Sequence, residues 1–354
     1  MNCVISAASA VTAVGHCVRS NAAAISAGIS RLTLFEDYLD SGGNPIVAAP
    51  VTLDLPEGEA EEHDDHVRDL AHHALSRLVS ETTIENAAPL ALLVGVADER
   101  RPGPRYEGEE YELAEQLRQQ FGPERTHCEV SWFPSGNAAV FAGLRAALAL
   151  IEGDATYQCI VGGVDSLLDE TTLDWLELQE RLKSETFGRN QGLPPGEAAG
   201  FLLLESEQAA HMRRRKPLAR VCGIGIATEP APFVDGAPSI AQGLTTAMRE
   251  AVGAVPTDAS DIVTVFADLN GEFYRAKEWS NASVRYFQRL PHPRTLWHPA
   301  ECFGDIGSAW GIVALGVAAA MLEDSGGAGR ILCVASDDFG ARGAVVLGAV
   351  THGA

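Results

Sequence analysis

Residues 132–166, WFPSGNAAVFAGLRAALALIEGDATYQCIVGGVDS, decide how this chain is read. They open on a turn at Pro134, Ser135, Gly136 and Asn137, pass into an apolar helix of small residues from Ala138 to about Ile151, and leave through the buried run 159–161 into Gly162 and Gly163. The same order returns over 297–338, WHPAECFGDIGSAWGIVALGVAAAMLEDSGGAGRILCVASDD, where Gly307, Ser308 and Ala309 lie on Gly136, Asn137 and Ala138, and 331–334 lies on 159–161. A helix rich in Ala and Gly can approach a neighbouring backbone closely. Two of them at corresponding places predict a duplicated domain with its two helices packed in the middle. Two unrelated α/β units in one chain are the plainer alternative.

With 354 residues, 46% hydrophobic and 21% charged, the chain can bury a large core, and its length corresponds to about two domains. A formal charge of −22 opposes nucleic-acid binding and, less strongly, docking of another acidic protein. No apolar run reaches the roughly 18 residues needed to cross a bilayer, and no basic region precedes an apolar N-terminal segment, so a soluble cytoplasmic protein with no membrane partner is expected. Cys3, Cys17, Cys128, Cys159, Cys222, Cys302 and Cys333 are scattered and form no CxxC pair, and they read as reduced core residues. His63, Asp64, Asp65 and His66, with His72 and His73, look superficially like metal ligands; a solvated helix start with acids at its positive end is the plainer reading. No metal and no cofactor is expected.

Strand and helix signals alternate along the chain, as in an α/β protein. The readings are a strand to about Ala8, a turn at Val14 and Gly15 and a helix ending at Gly28; an acidic loop 54–66 and a helix 67–80; a buried strand 91–96; a polar excursion 98–110 and a helix 111–120. Residues 167–184 read as helical, 188–196 as a Gly/Pro loop, 197–205 as a central strand, and the basic cluster 212–216 as an exposed loop. Strand 218–226, helix 239–252 and strand 262–266 follow.

Candidate chemistry sits in three places. The segment 266–279, FADLNGEFYRAKEW, follows a buried strand and carries Asp268, Asn270, Glu272, Arg275, Lys277 and Glu278. It is either a ligand loop at a strand's carboxyl end or a surface loop feeding a helix. Trp297, His298 and Pro299, with Asp305, form the second place, and Ser135 with Asn137 the third. These meet only if the duplicated halves face each other. Ser135 reads either as a nucleophile needing a base such as His298 or Asp305, or as a helix N-cap.

The ordered set VTAVG, GDATYQCIVGGVDSLLD, GEAAGFLLLES, LNGE, FGDIGSAWGIVAL and DDFGARGAVVL resembles the β-ketoacyl-acyl-carrier-protein synthases of the thiolase superfamily, over residues 3–350. The resemblance implies a five-layered αβαβα fold of two similar halves, 1–210 with insertions and 211–354, two buried central helices and a homodimer. It also implies a cysteine nucleophile at the start of the first buried helix and histidines in HGT and GH motifs, whose thiolate and oxyanion chemistry drives decarboxylative condensation. Here the cysteine position falls on Asn137 or Phe133, the HGT histidine on Asn270 and the GH histidine on Asp305, so all three positions have changed. Cys302 and Cys128 are the thiols nearest in sequence and read as packed residues.

Three functions remain open. The chain is a non-condensing ketosynthase-like protein of fatty acid or polyketide biosynthesis that binds an acyl or pantetheine thioester, on coenzyme A or an acyl carrier protein, or pairs with an active synthase. It is an acyltransferase or thioester hydrolase with a site rebuilt from Ser135, Asn137, Asn270, Glu272, His298 and Asp305. Or it is a structural homodimer without a ligand.

Overall fold

The computed structural model describes residues 2–53, 63–85, 88–104, 112–121, 128–184, 189–255, 261–287, 295–324 and 329–350. Most of the acidic loop, 54–62, and residues 105–110 of the polar excursion lie outside these, as do the side chains of His63, Asp64 and Asp65.

The first half contributes β1 (Cys3–Thr12), β4 (Leu90–Val96), β5 (Cys128–Pro134), β6 (Gln158–Ser166) and β7 (Glu197–Ser206); β2 (Thr33–Leu39) and β3 (Pro45–Ala48) form a separate two-stranded ribbon. The second half contributes β8 (Ala219–Thr228), β9 (Ile262–Ala267), β10 (Thr295–Trp297), β11 (Arg330–Ser336) and β12 (Ala341–Gly348). Outward from the middle the strands run β1-β7-β6-β4-β5 on one side and β8-β12-β11-β9-β10 on the other. Each side pairs antiparallel, antiparallel, parallel, parallel. The two sides join by a short antiparallel contact of 3–5 in β1 with 219–221 in β8. One connectivity is therefore used twice, which is the duplication read from the two Ala/Gly helices.

Side-chain alternation along the buried strands assigns the layers, because successive residues face opposite sides of a sheet. Cys159 and Val161 of β6 and Ile331 and Cys333 of β11 face an inner core shared with α4 (Ala139–Gly153) and α10 (Trp310–Asp324). Ile160 faces the opposite way, onto α2 (His63–Glu81) and α3 (Glu112–Gln119), and Leu332 and Val334 face α7 (Gln242–Gly253) and α8 (Phe273–Phe287). The result is the five-layered αβαβα arrangement. Every residue of α10 from Trp310 to Ala320 is buried, as an apolar helix without a polar face requires. Gly311 lets it lie on α4, since a Cβ there would stand 2.8 Å from Val140 Cβ. The remaining helices are α1 (Val18–Ser26), α5 (Glu170–Leu178), α6 (Glu207–Met212) and α9 (Ala300–Phe303).

Two expectations need correction. The helix read over 167–184 stops at Leu178: Glu180 takes a left-handed φ of 56°, and the Glu180 and Arg181 amides return to the Glu177 and Leu176 carbonyls in a Schellman-type closure. The basic cluster 212–216 is not simply an exposed loop. Arg213 and Arg215 both hold the buried Glu205, at 2.6 and 2.9 Å, and their side chains are largely covered.

The two inner helices begin in identical 3-10 turns, Gly136–Ala138 and Gly307–Ala309, and both glycines have φ +51°. A Cβ on Gly136 would run into the carboxylate of Asp337, and one on Gly307 into that of Asp165. The close approach at each turn is thus to a carboxylate of the other half. Gly136→Leu combines left-handed strain with an overfilled contact and is expected to cost roughly 2–5 kcal/mol, measured by denaturant unfolding; unchanged stability would contradict this placement.

Candidate functional site

The facing turns bring Asn137, Asn270, Glu272 and Asp305 into one buried cluster. Asp305 follows Gly304, whose φ of 76° reverses the chain after α9, and its carboxylate caps the second turn by accepting from Gly307 N at 3.0 Å. The same carboxylate accepts from Asn270 Nδ2 at 2.7 Å and from Asn137 Nδ2 at 3.4 Å. Asn270 also donates to Glu272 Oε2 at 2.9 Å, and its carbonyl accepts from Glu272 N at 3.1 Å. The segment after β9 therefore contributes to this buried cluster, while Gly271 and Lys277 with its exposed neighbours on α8 face solvent.

Ser135 and His298 stand apart from this cluster. Ser135 occupies the N-cap position of its turn, but its hydroxyl makes no capping hydrogen bond. His298 is 43% exposed and pairs with Glu301 at 3.3 Å. The two spare thiols are no better placed. Burial pushes the Cys302 thiol up to about 11, and Cys128 lies at the opposite end of β5 from the turn.

Arg101, Asp165, Arg181, Tyr274, Asp337 and Asp338, which the sequence reading did not single out, join Asp268 and Arg275 around the cluster. Arg181 grips Glu272 with two hydrogen bonds, 2.7 and 2.9 Å, and reaches Asp338 at 2.7 Å. Arg275 binds Asp268 at 2.6 Å and Asp338 at 3.2 Å, and the Tyr274 hydroxyl donates to Asp338. On the other side Arg101 holds Asp165 with bonds of 2.9 and 2.6 Å, and Ser308 N donates to the same carboxylate at 2.7 Å. Asp337 and Asp338 follow the buried strand β11, and the rule that marked 266–279, polar residues at a strand's carboxyl end, also marks them. Arg181 carried no such signal.

Burial alone would raise Asp338, but Arg181 and Arg275 outweigh it and hold the group down at about 2. Asp337 has no guanidinium of its own: burial, with the charge of Asp338 beside it, pushes it up to about 7. Burial likewise pushes Asp268 up to about 6 against the pull of Arg275 and Ser336 N. Between the turns remains a cavity of about 30 Å³, lined by Asn137, Asp305, Asp337, Asp338, Arg181 and Arg275 among others. That is room for about one water molecule. No thiol, hydroxyl or imidazole lines it. Among the described residues no group of His, Cys, Asp and Glu side chains is placed to hold a metal ion, and no helix is long and apolar enough to cross a membrane.

No protein-family model matches the chain, and no curated protein matches it. Solved structures do. The ishigamide ketosynthase/chain length factor superposes with a TM-score of 0.78 at 17% identity, covering 99% of each chain. A type II polyketide ketosynthase, solved in complex with its acyl-carrier protein, gives 0.78 at 14% identity, again over 99% of each chain. A β-ketoacyl synthase from Burkholderia phymatum gives 0.76 at 14% over 99% of this chain and 100% of that one. The chain has the thiolase-like fold of the ketosynthases. Of the positions matched earlier to the condensing residues, Asn137, Asn270 and Asp305 meet in its centre, and Phe133, the other position matched to the cysteine, is not among them.

Asp337 gives the site a pH signature. Its folded value of about 7 lies above the ordinary aspartate value of about 4. The folded protein therefore binds a proton that the unfolded chain has released, and stability falls as pH rises from about 4 to about 7, by on the order of 4 kcal/mol for this group. Asp337→Asn is expected to be more stable than the unsubstituted protein at pH 8 and equal to it near pH 4 in urea titrations. A difference independent of pH would contradict the assignment.

Proposed function

We propose that this protein is a ketosynthase-fold chain that does not condense acyl groups and acts as a pairing subunit, of fatty acid or polyketide type, with its halves 1–210 and 211–354 retained as scaffold. The observation that carries this reading is that Asn137, at the nucleophile position, is tied to Asp305 beside a cavity of about 30 Å³. A carboxamide is no nucleophile, and a cavity for one water has no room for a pantetheine arm, whether from coenzyme A or from an acyl carrier protein. The small cavity counts against the thioester-binding form of the reading and favours pairing.

The surface for pairing is β5. It ends the sheet, its outer edge has no strand partner among the described residues, and Val130, Trp132 and Phe133 on it are only partly buried. An apolar strand with a free edge invites another strand, and a second copy of β5 can meet it across a two-fold axis. Among the structural neighbours, a ketosynthase with a chain length factor gives a precedent for a pair of such chains.

One observation favours a second reading, a hydrolase or acyltransferase: Asp337, at about 7, lies in the range of a general base and faces a cavity that holds one water. Incubation with malonyl and acyl thioesters separates the two. Unchanged intact mass and no thiol release are expected, and an acyl adduct or turnover would contradict the pairing reading. For the interface, light scattering is expected to give the mass of two chains, and Val130→Lys, which sets a charge on the open edge, the mass of one with an unchanged circular dichroism spectrum. An unsubstituted protein with the mass of one chain would overturn the β5 assignment.

A further inference from the structure

Seven side chains from both halves stack into one ladder, and four of them, Trp175, Arg181, Arg275 and Phe339, line the cavity. Arg100 lies over the Phe339 ring at 4.8 Å, Phe339 is stacked on Trp175 at 6.1 Å with planes 13° apart, and Trp175 faces the Arg181 guanidinium at 5.4 Å. Arg181 lies over Phe233 at 4.6 Å, Phe233 stacks on Tyr274 at 4.1 Å, and Arg275 lies over Tyr274 at 5.5 Å. Arg181 is the middle rung, with an aromatic neighbour on either side in the sequence of contacts, and it also makes a two-point bond to Glu272 and an ion pair to Asp338.

Aromatic faces above and below a planar cation, with carboxylates at its rim, are the features that recognise a guanidinium group. The occupant comes from the chain itself. Arg181 is delivered by the left-handed turn at Glu180 that closes α5, and only 4% of its side chain is exposed. We infer that Trp175, Phe233, Tyr274, Glu272 and Asp338 form a guanidinium-binding cage, and that Arg181 fills it as a tethered ligand that keeps the centre of the molecule shut. The cage exists whether or not the protein pairs through β5, so the inference goes beyond the pairing reading and stands apart from it.

The test removes the tethered occupant and offers a free one. In Arg181→Gly the cage is empty, and millimolar N-ethylguanidinium is expected to raise the melting temperature by several degrees. Urea, planar but neutral, and tetramethylammonium, charged but unable to donate hydrogen bonds, are expected to leave it unchanged at the same concentration. The unsubstituted protein, whose cage is full, is expected to respond to none of the three. An equal response of Arg181→Gly to all three compounds, or to none, would overturn the assignment. Should Arg181→Gly not fold unaided, the same compounds are added during refolding. Recovery with N-ethylguanidinium alone supports the cage, and equal yields with all three, including no yield, contradict it.

Discussion

A carboxylate from each half closes the helix-initiating turn of the other. Asp165, at the end of β6, meets the turn at Gly307, and Asp337, just past β11, meets the turn at Gly136. This crossed contact is possible only because both turn residues are glycines in the left-handed region. It fixes where α4 and α10 begin, and hence where the next residue, Asn137, and the capping Asp305 stand. Move either carboxylate and the inner helices lose their common starting plane.

The two contacts are related by the duplication but differ in charge. Asp165 is paired with Arg101 and accepts from Ser308 N, whereas Arg342 donates only to the main-chain carbonyl of Asp337, whose carboxylate has no cation in hydrogen-bond contact among those described. Asp268, Glu272, Asp305 and Asp338 are buried in the same region and share the guanidinium groups of Arg181 and Arg275. Burial pushes Asp337 up to about 7 and Asp268 up to about 6, while Asp338, which touches both arginines, is held at about 2. Breaking one partner out of such a buried pair typically costs about 3–5 kcal/mol.

Much of the fold was legible because it is written in local pattern. The small residues of the two inner helices, the glycines ahead of them and the apolar runs that became β6 and β11 carry their own periodicity, and a repeated order is visible without coordinates. Asn137, Asn270 and Asp305 could be placed only through the resemblance, since a polar residue at a turn is unremarkable by itself. Arg181 was hidden because it continues the apolar spacing of a helix that in fact ends three residues earlier, stopped by a left-handed glutamate that no propensity favours. The aromatic ladder was hidden for another reason. Its rungs come from residues 100, 175, 181, 233, 274, 275 and 339, and only the folded chain sets them in one stack.

The account rests on a buried centre, in which Asn137 is 7% exposed. Asn137→Cys restores a thiol at the nucleophile position, and its alkylation by iodoacetamide, followed by mass spectrometry of the peptide that contains residue 137, reports access to that centre directly. The buried geometry predicts that this thiol reacts far more slowly in the folded protein than in urea. Rapid labelling of the folded protein would contradict it.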